Sequence, residues 1–194
     1  MQSYSKNYKI LLFPSSMCFD DWPYGNLTLV NSPATCLHKA TENNYDLIAI
    51  FHEYRSLKER HALVELCSML KRNRYTLHVP LLSLLPSRHR EMLEQLHNVG
   101  VEYARFYDPR DPVSQNHIES IESLLAKPSE ECKIGRILSG ICPHINYFPI
   151  SRHKEILYCG AYRNRLVLGS PRLSHFCETF NHKNCPYFNC PKFH

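Results

Sequence analysis

The stretch from Tyr45 to Leu85, "YDLIAIFHEYRSLKERHALVELCSMLKRNRYTLHVPLLSLL", decides the fold. Its first seven residues are apolar almost throughout, which is the pattern of a central strand buried on both faces. "SLKERHALVELCSMLKRN" then opens with a capping box, Ser56 and Glu59. Leu57, Leu63, Leu66, Cys67 and Leu70 follow on one helical face. "VPLLSLL" returns to a continuous apolar run. Strand, amphipathic helix and buried strand make a βαβ unit, and that unit requires a parallel sheet with helices across it.

Working outward, the same alternation continues on both sides. "YKILLF" (Tyr8 to Phe13) reads as a buried strand and "NLTLV" (Asn26 to Val30) as a second. "SPATCLHKATENN" is a helix with Ser32 as its cap and Pro33 in its first position. Beyond Leu85, "SRHREMLEQLHNVG" predicts a helix capped by Ser87, with an apolar face of Met92, Leu93 and Leu96 and Gly100 as its stop. "VEYARFY" is the fifth strand and "VSQNHIESIESLLA" a last helix. The expected class is α/β: a doubly wound, five-stranded parallel sheet, with a small Cys-rich α+β module after it. "PSSMCFDDWPYG" is too short and too proline-rich for a first helix, which is expected to be missing. Asp20 and Asp21 within it read as a solvated loop pair.

The order and wording of these segments resemble the receiver domains of bacterial response regulators. "YDLIAIF" is similar to the central receiver strand, "VPLLSLL" to the fourth, and "LEQLHNVGVEYARFYDP" to the family's run of helix, strand and Lys-Pro. The resemblance covers roughly residues 8–125. It implies phosphoryl transfer to an aspartate ending the third strand, with magnesium on an acidic pair after the first. A Ser/Thr after strand four and a lysine after strand five complete the family's site. Here the acceptor slot falls on Phe51, the acidic pair on Pro14 and Ser15, the Ser/Thr slot on Leu85 and the lysine slot on Asp108. Phosphorelay chemistry is therefore expected to be lost, leaving a pseudo-receiver. His52 and Glu53, just past the third strand, are expected to form an exposed polar pair.

Charge separates the chain into two regions. Residues 1–127 hold 14 Lys+Arg and 14 Asp+Glu, whereas residues 128–194 hold 9 and 4, which accounts for the whole net charge of +5. With Pro128 and Ser129 ending a helical pattern, the expected division is a pseudo-receiver domain at 1–127 and a metal-binding module at 128–194. No apolar run approaches the ~20 residues of a membrane span. The apolar "ILLF" near the start is too short for a signal peptide, so a cytoplasmic protein with reduced thiols is expected.

Nine cysteines are an odd number, and six of them lie between Cys132 and Cys190. A region of about 65 residues has a marginal core and commonly needs a metal or disulfides. Cys142, Cys159, Cys177 and Cys185 are separated by 16, 17 and 7 residues, and no Cys-x-x-Cys occurs. That counts against the usual zinc pairs and against thioredoxin-type chemistry. Dispersed ligands suit iron–sulfur sites, and Cys142, Cys185 and Cys190 are each followed by proline. A Cys₃His zinc site is the rival, because Cys185-x4-Cys190-x3-His194 with His182 is a credible half-site. Free or disulfide-forming thiols are the third reading.

From Cys142 to Phe188 the chain also resembles a cysteine module appended to bacterial signalling proteins, with its Cys-Pro, lone Cys and "CPYF"-like ending. That resemblance implies a metal centre, a [4Fe–4S] cluster first and Zn²⁺ as the alternative. Its ligands would be Cys142, Cys159, Cys177 and Cys185, with Cys132 and Cys190 as spares. Arg136, Arg152, Lys154, Arg163, Arg165 and Arg172 are the cations available to balance the site's negative charge. "EILYC" and "RLVLG" predict a hairpin around "GAYRN", and "SPRLSHFCETF" a helix capped by Ser170 with Pro171 next.

There is no phosphate loop, no serine elbow and no pair of carboxylates in a suggestive context, so no enzyme activity is expected. No helix-turn-helix or RNA-recognition signature occurs, which leaves nucleic acid disfavoured despite "AYRNR". The functional expectation is a regulatory protein whose metal centre senses redox state or oxygen. It would act through protein contacts, and a homodimer is one arrangement open to it. An adaptor stapled by structural zinc, or an electron-transfer protein, is the alternative.

Overall fold

The computed structural model describes residues 8–13, 26–52, 56–108, 121, 129–152 and 154–192. Five strands form one parallel sheet: β1 (Ile10–Phe13), β2 (Leu27–Leu29), β3 (Leu47–Phe51), β4 (Leu81–Leu85) and β5 (Tyr103–Phe106). Their order is β2-β1-β3-β4-β5, the order of receiver and flavodoxin-like sheets. The expected doubly wound α/β class is therefore the observed one. β1, β3 and β4 are buried at every residue, which is why they read as unbroken apolar runs.

The helices are α1 (Pro33–Glu42), α2 (Leu57–Arg72) and α3 (Arg90–Asn98). Ser32 and Ser56 cap the first two by accepting the backbone N–H of Thr35 and Glu59. α2 buries Leu66, Cys67 and Leu70, and α3 buries Met92, Leu93 and Leu96. One detail differs: α3 is capped by His89, not Ser87, and His89 Nδ1 accepts the N–H of Met92 at 3.2 Å. Ser87 lies two residues too early, because His89 is still extended and helical geometry begins at Arg90. Gly100 ends the segment at φ +94°, a conformation that favours glycine. Of the expected last helix only Ile121 is described, and it is buried. The segment expected to lack a first helix, with Asp20 and Asp21, lies outside the described residues.

After a 3₁₀ turn at Glu130–Cys132 come α4 (Ile134–Ser139) and an antiparallel sheet of β6 (Ile145–Pro149), β7 (Glu155–Cys159) and β8 (Leu166–Val167). The expected hairpin is present, with Tyr158 opposite Val167 and Cys159 opposite Leu166. Its turn places Arg163 and Asn164 at φ 51° and 55°, and Arg165 N–H donates to Tyr162 O at 3.0 Å. Two consecutive positive φ values with that bond make a type I′ turn, whose twist matches a hairpin.

The segment from Ser170 departs from the expected helix. Gly169 is the cap, only Ser170–Arg172 (α5) is α-helical, and Leu173–Cys177 is a π turn. Its i→i+5 bond runs from Glu178 N–H to Leu173 O at 2.9 Å. A 3₁₀ turn at Phe180–Asn184 and a short helix, α6 (Pro186–Asn189), complete the chain.

The two regions pack directly on each other. One apolar cluster runs from Leu11, Ile48 and Leu93 through Ile134 and Ile141 to Ile145 and Leu168. Arg90 in α3 donates from Nη1 to Ile141 O at 2.6 Å, and its N–H donates to the Tyr147 hydroxyl at 2.9 Å. Tyr147 stacks on His89 with ring centres 3.7 Å apart. Beside this stack, Arg60 of α2 holds Glu155 of β7 through Nη1–Oε1 at 3.3 Å and Nη2–Oε2 at 2.9 Å.

Candidate metal centre

Each candidate cysteine is delivered by a different element. Cys142 follows α4 in a loop whose carbonyl at Ile141 is pinned by Arg90. Cys159 ends β7, directly across from Ile145. Cys177 closes the π turn, a feature frequent at functional sites. Cys185 caps α6 at its N-terminal end. Cys142 N–H donates to Cys177 O at 2.7 Å, tying the first loop to the third. All four side chains are buried.

The four thiols influence one another electrostatically. Cys177 is pushed up to about 12, first by burial and then by Cys142, Cys159 and Cys185. Burial likewise raises Cys142, and Cys159 and Cys185 add to it, while the His144 backbone and Arg90 pull the other way. Cys185 is the exception. Burial would raise it, but the N–H groups of Phe188 and Tyr187 and the guanidinium of Arg172 outweigh burial and lower it. Arg172 Nη2 lies 3.7 Å from Cys185 Sγ and over the Tyr187 ring.

The remaining candidates go elsewhere. Cys132 is buried in a separate cluster with Leu82, Leu84 and Tyr107. Cys190 is exposed, at the opposite end of the helix that Cys185 caps. His182 is buried against Phe188, with Nδ1 donating to Thr179 O at 2.8 Å. His194 lies outside the described residues, as do Cys18 and His153. Of the six cations named from sequence, Arg172 is the one hydrogen-bonded to a thiol. Arg136 covers Phe180 instead. Arg90 was missed, because it lies 52 residues before Cys142 and nothing local signals that α3 packs there.

An all-sulfur donor set suits zinc or iron–sulfur chemistry and not magnesium or calcium. Among the described residues no three or more His, Cys, Asp or Glu side chains are gathered as a single-ion site. A zinc ion draws its four sulfurs tightly around one centre, whereas a cluster carries one thiolate on each of four irons and spaces them more widely.

The strand ends where α/β sheets bind ligands are filled. Phe51 is buried and meets Tyr107 edge-on at 5.7 Å, and Leu85 is fully buried. Asp108 is exposed, while Pro14 and Ser15 lie outside the described residues. His52 corrects an expectation: it is fully buried, not exposed, with Nε2 3.1 Å from Ser83 Oγ. The strand simply carries its burial one residue further. Glu53 lies outside the described residues.

Burial lowers His52 from 6.5 to about 3. The unfolded imidazole takes up a proton that the folded one refuses, so stability is full above the unfolded value and falls as pH drops below it. Denaturant midpoints measured from neutral pH down to about 4.5 should therefore decline, and His52→Gln should flatten that decline.

The sheet order is that of the receiver/flavodoxin-like α/β fold, and Phe51 stands at the end of its third strand. No protein-family model and no curated protein matches the chain. Among solved structures it is similar to the phosphorylated cyanobacterial phytochrome response regulator RcpA, at 12% identity and a TM-score of 0.49. It is also similar to response regulator RPA3017 in red light signaling of R. palustris, at 12% identity and a TM-score of 0.45. Each overlap covers 63% of this chain and 96% of the other. Among the described residues no helix is long and apolar enough to cross a membrane.

Proposed function

We propose that the chain is a regulatory protein on a receiver scaffold without phosphoryl transfer, in which Cys142, Cys159, Cys177 and Cys185 hold a [4Fe–4S] cluster. The cluster supplies an oxidant-sensitive inorganic core, and its presence or loss reports redox state or oxygen to a protein partner. What supports this reading is that four buried cysteines from four separate elements include three, Cys142, Cys159 and Cys185, that act electrostatically on the fourth, Cys177, and that Cys142 N–H bonds Cys177 O. Arg172 balances charge at Cys185 and Arg90 near Cys142, the outer-shell work that such sites need. Phe51 and Tyr107 occupy the end of the sheet where the resemblance would put a phosphoryl group.

The test is iron, acid-labile sulfide and zinc per chain after anaerobic purification, repeated after air. About four irons and four sulfides, lost in air, support the reading. One zinc unchanged by air overturns it in favour of a zinc-stapled adaptor.

A further inference from the structure

The outer face of the second sheet carries an exposed apolar strip, with Asn146 opposite Tyr158 as its polar border. Phe148 on β6 stands opposite Ile156 on β7, and Tyr158, two residues on, stands opposite Val167 on β8. Alternation along β7 puts Ile156 and Tyr158 on the same face, so the four side chains share it. Phe148 is 58% exposed, Ile156 37% and Val167 66%, and Ile150 at the end of β6 is 53%. An antiparallel sheet normally presents polar residues on its solvent side, so a contiguous apolar face there marks a contact surface.

Among the described residues of this sheet, the charges on this face have one sign. Lys154 precedes Ile156, and Arg165 precedes Val167, each in the alternation of that face, and both are exposed. Between Cys132 and Cys177 the sequence contains a single carboxylate, Glu155. Glu155 pairs with Pro149 on the opposite face, where Arg60 holds it. An apolar strip with a cation at each end and no carboxylate complements an acidic partner.

We propose that this face docks an acidic protein segment, whose apolar side chains cover Phe148, Ile156 and Val167 while its carboxylates meet Lys154 and Arg165. The Phe148 and Tyr158 rings beside these cations make single-stranded nucleic acid the rival occupant, and the test below includes it. A second copy would bring like charges together. The surface goes beyond the metal reading and stands whether or not the thiols hold a metal.

The test uses the full chain and fluorescence anisotropy. The probe is a labelled amphipathic peptide with glutamates on one face and leucine and phenylalanine on the other. Its lysine-for-glutamate twin, oligo(dT) and phosphatidylserine vesicles serve as comparisons. The acidic peptide should bind tightest, and Val167→Ser and the double variant Lys154→Glu/Arg165→Glu should each weaken it about tenfold or more. Metal content and melting temperature of each variant should match the parent, which separates loss of the surface from loss of the centre. Tighter binding of oligo(dT), vesicles or the lysine twin overturns the proposal. So does a dimer that Val167→Ser dissolves, or peptide binding that neither variant weakens.

Discussion

Serine at any one of Cys142, Cys159, Cys177 or Cys185 should lower metal content at least about tenfold, whereas Cys132→Ser and Cys190→Ser should leave it unchanged. Outer-shell changes alone commonly cost about 10–100-fold in metal affinity, and removing a ligand is more severe. The contrast within the series is what makes it diagnostic. Cys132 is as deeply buried as the four but sits among Leu82, Leu84 and Tyr107, and Cys190 lies exposed beyond α6. A general loss of stability from buried-thiol replacement would put Cys132→Ser with the other four. A metal cage leaves it apart. Metal analysis alongside thermal melts of all six variants decides, and a Cys190→Ser protein that loses its metal would move the cage to the tail.

Glu155→Ala should destabilise the chain by about 3 kcal/mol, the usual cost of leaving one member of a buried ion pair alone. The Arg60 and Glu155 side chains are 12% and 14% exposed, and the pair bridges α2 to β7. Burial would raise the Glu155 carboxyl, but Arg60 and His89 more than offset it and hold it below 4.5. His89, buried against Arg60, is lowered from 6.5. In the neutral ring Nδ1 accepts from Met92 at 3.2 Å, while Nε2 lies 3.1 Å from Glu155 Oε2 and 2.9 Å from Arg60 Nη1. The His89 contribution falls as pH drops below 6.5, and the Glu155 contribution falls below the unfolded carboxyl value and through the lower folded one. Acid therefore loosens the attachment of the second sheet from two sides. A double change, Arg60→Met with Glu155→Leu, should recover most of the loss, because apolar replacement removes both charges together. Urea midpoints of the single and double variants check this, and a single variant within about 0.5 kcal/mol of the parent would show the pair to be solvated.

The parallel sheet was legible because strands buried on both faces leave no polar interruption: "LIAIF" and "LLSLL" can scarcely be read otherwise. Ser32 and Ser56 were legible as caps because their bonds reach only three residues. His89 was not, since its ring completes a cap with Nδ1 while Nε2 reaches Glu155, 66 residues away. The π turn before Cys177 escaped because Pro171 and the apolar spacing suit an ordinary helix start. Four of the six clustered cysteines could be nominated from the resemblance to a bacterial cysteine module, while spacing and proline context alone left the set open. Arg90, which pins the loop before Cys142, is visible only once α3 and α4 are packed together.

The hairpin of β6 and β7 has a consequence for how such chains vary. Cys159 pairs at one end, opposite Ile145, while the connection closes at the other, where Ile150 N–H donates to Lys154 O at 2.9 Å. Lengthening both strands by two residues at that closed end would add four to the Cys142–Cys159 interval. It would keep every side chain on its own face and leave Cys159 opposite Ile145. The interval between these cysteines is thus a record of ribbon length, free to drift by insertion, and a spacing-based pattern built on this chain would pass over homologues with the same four thiols in the same place.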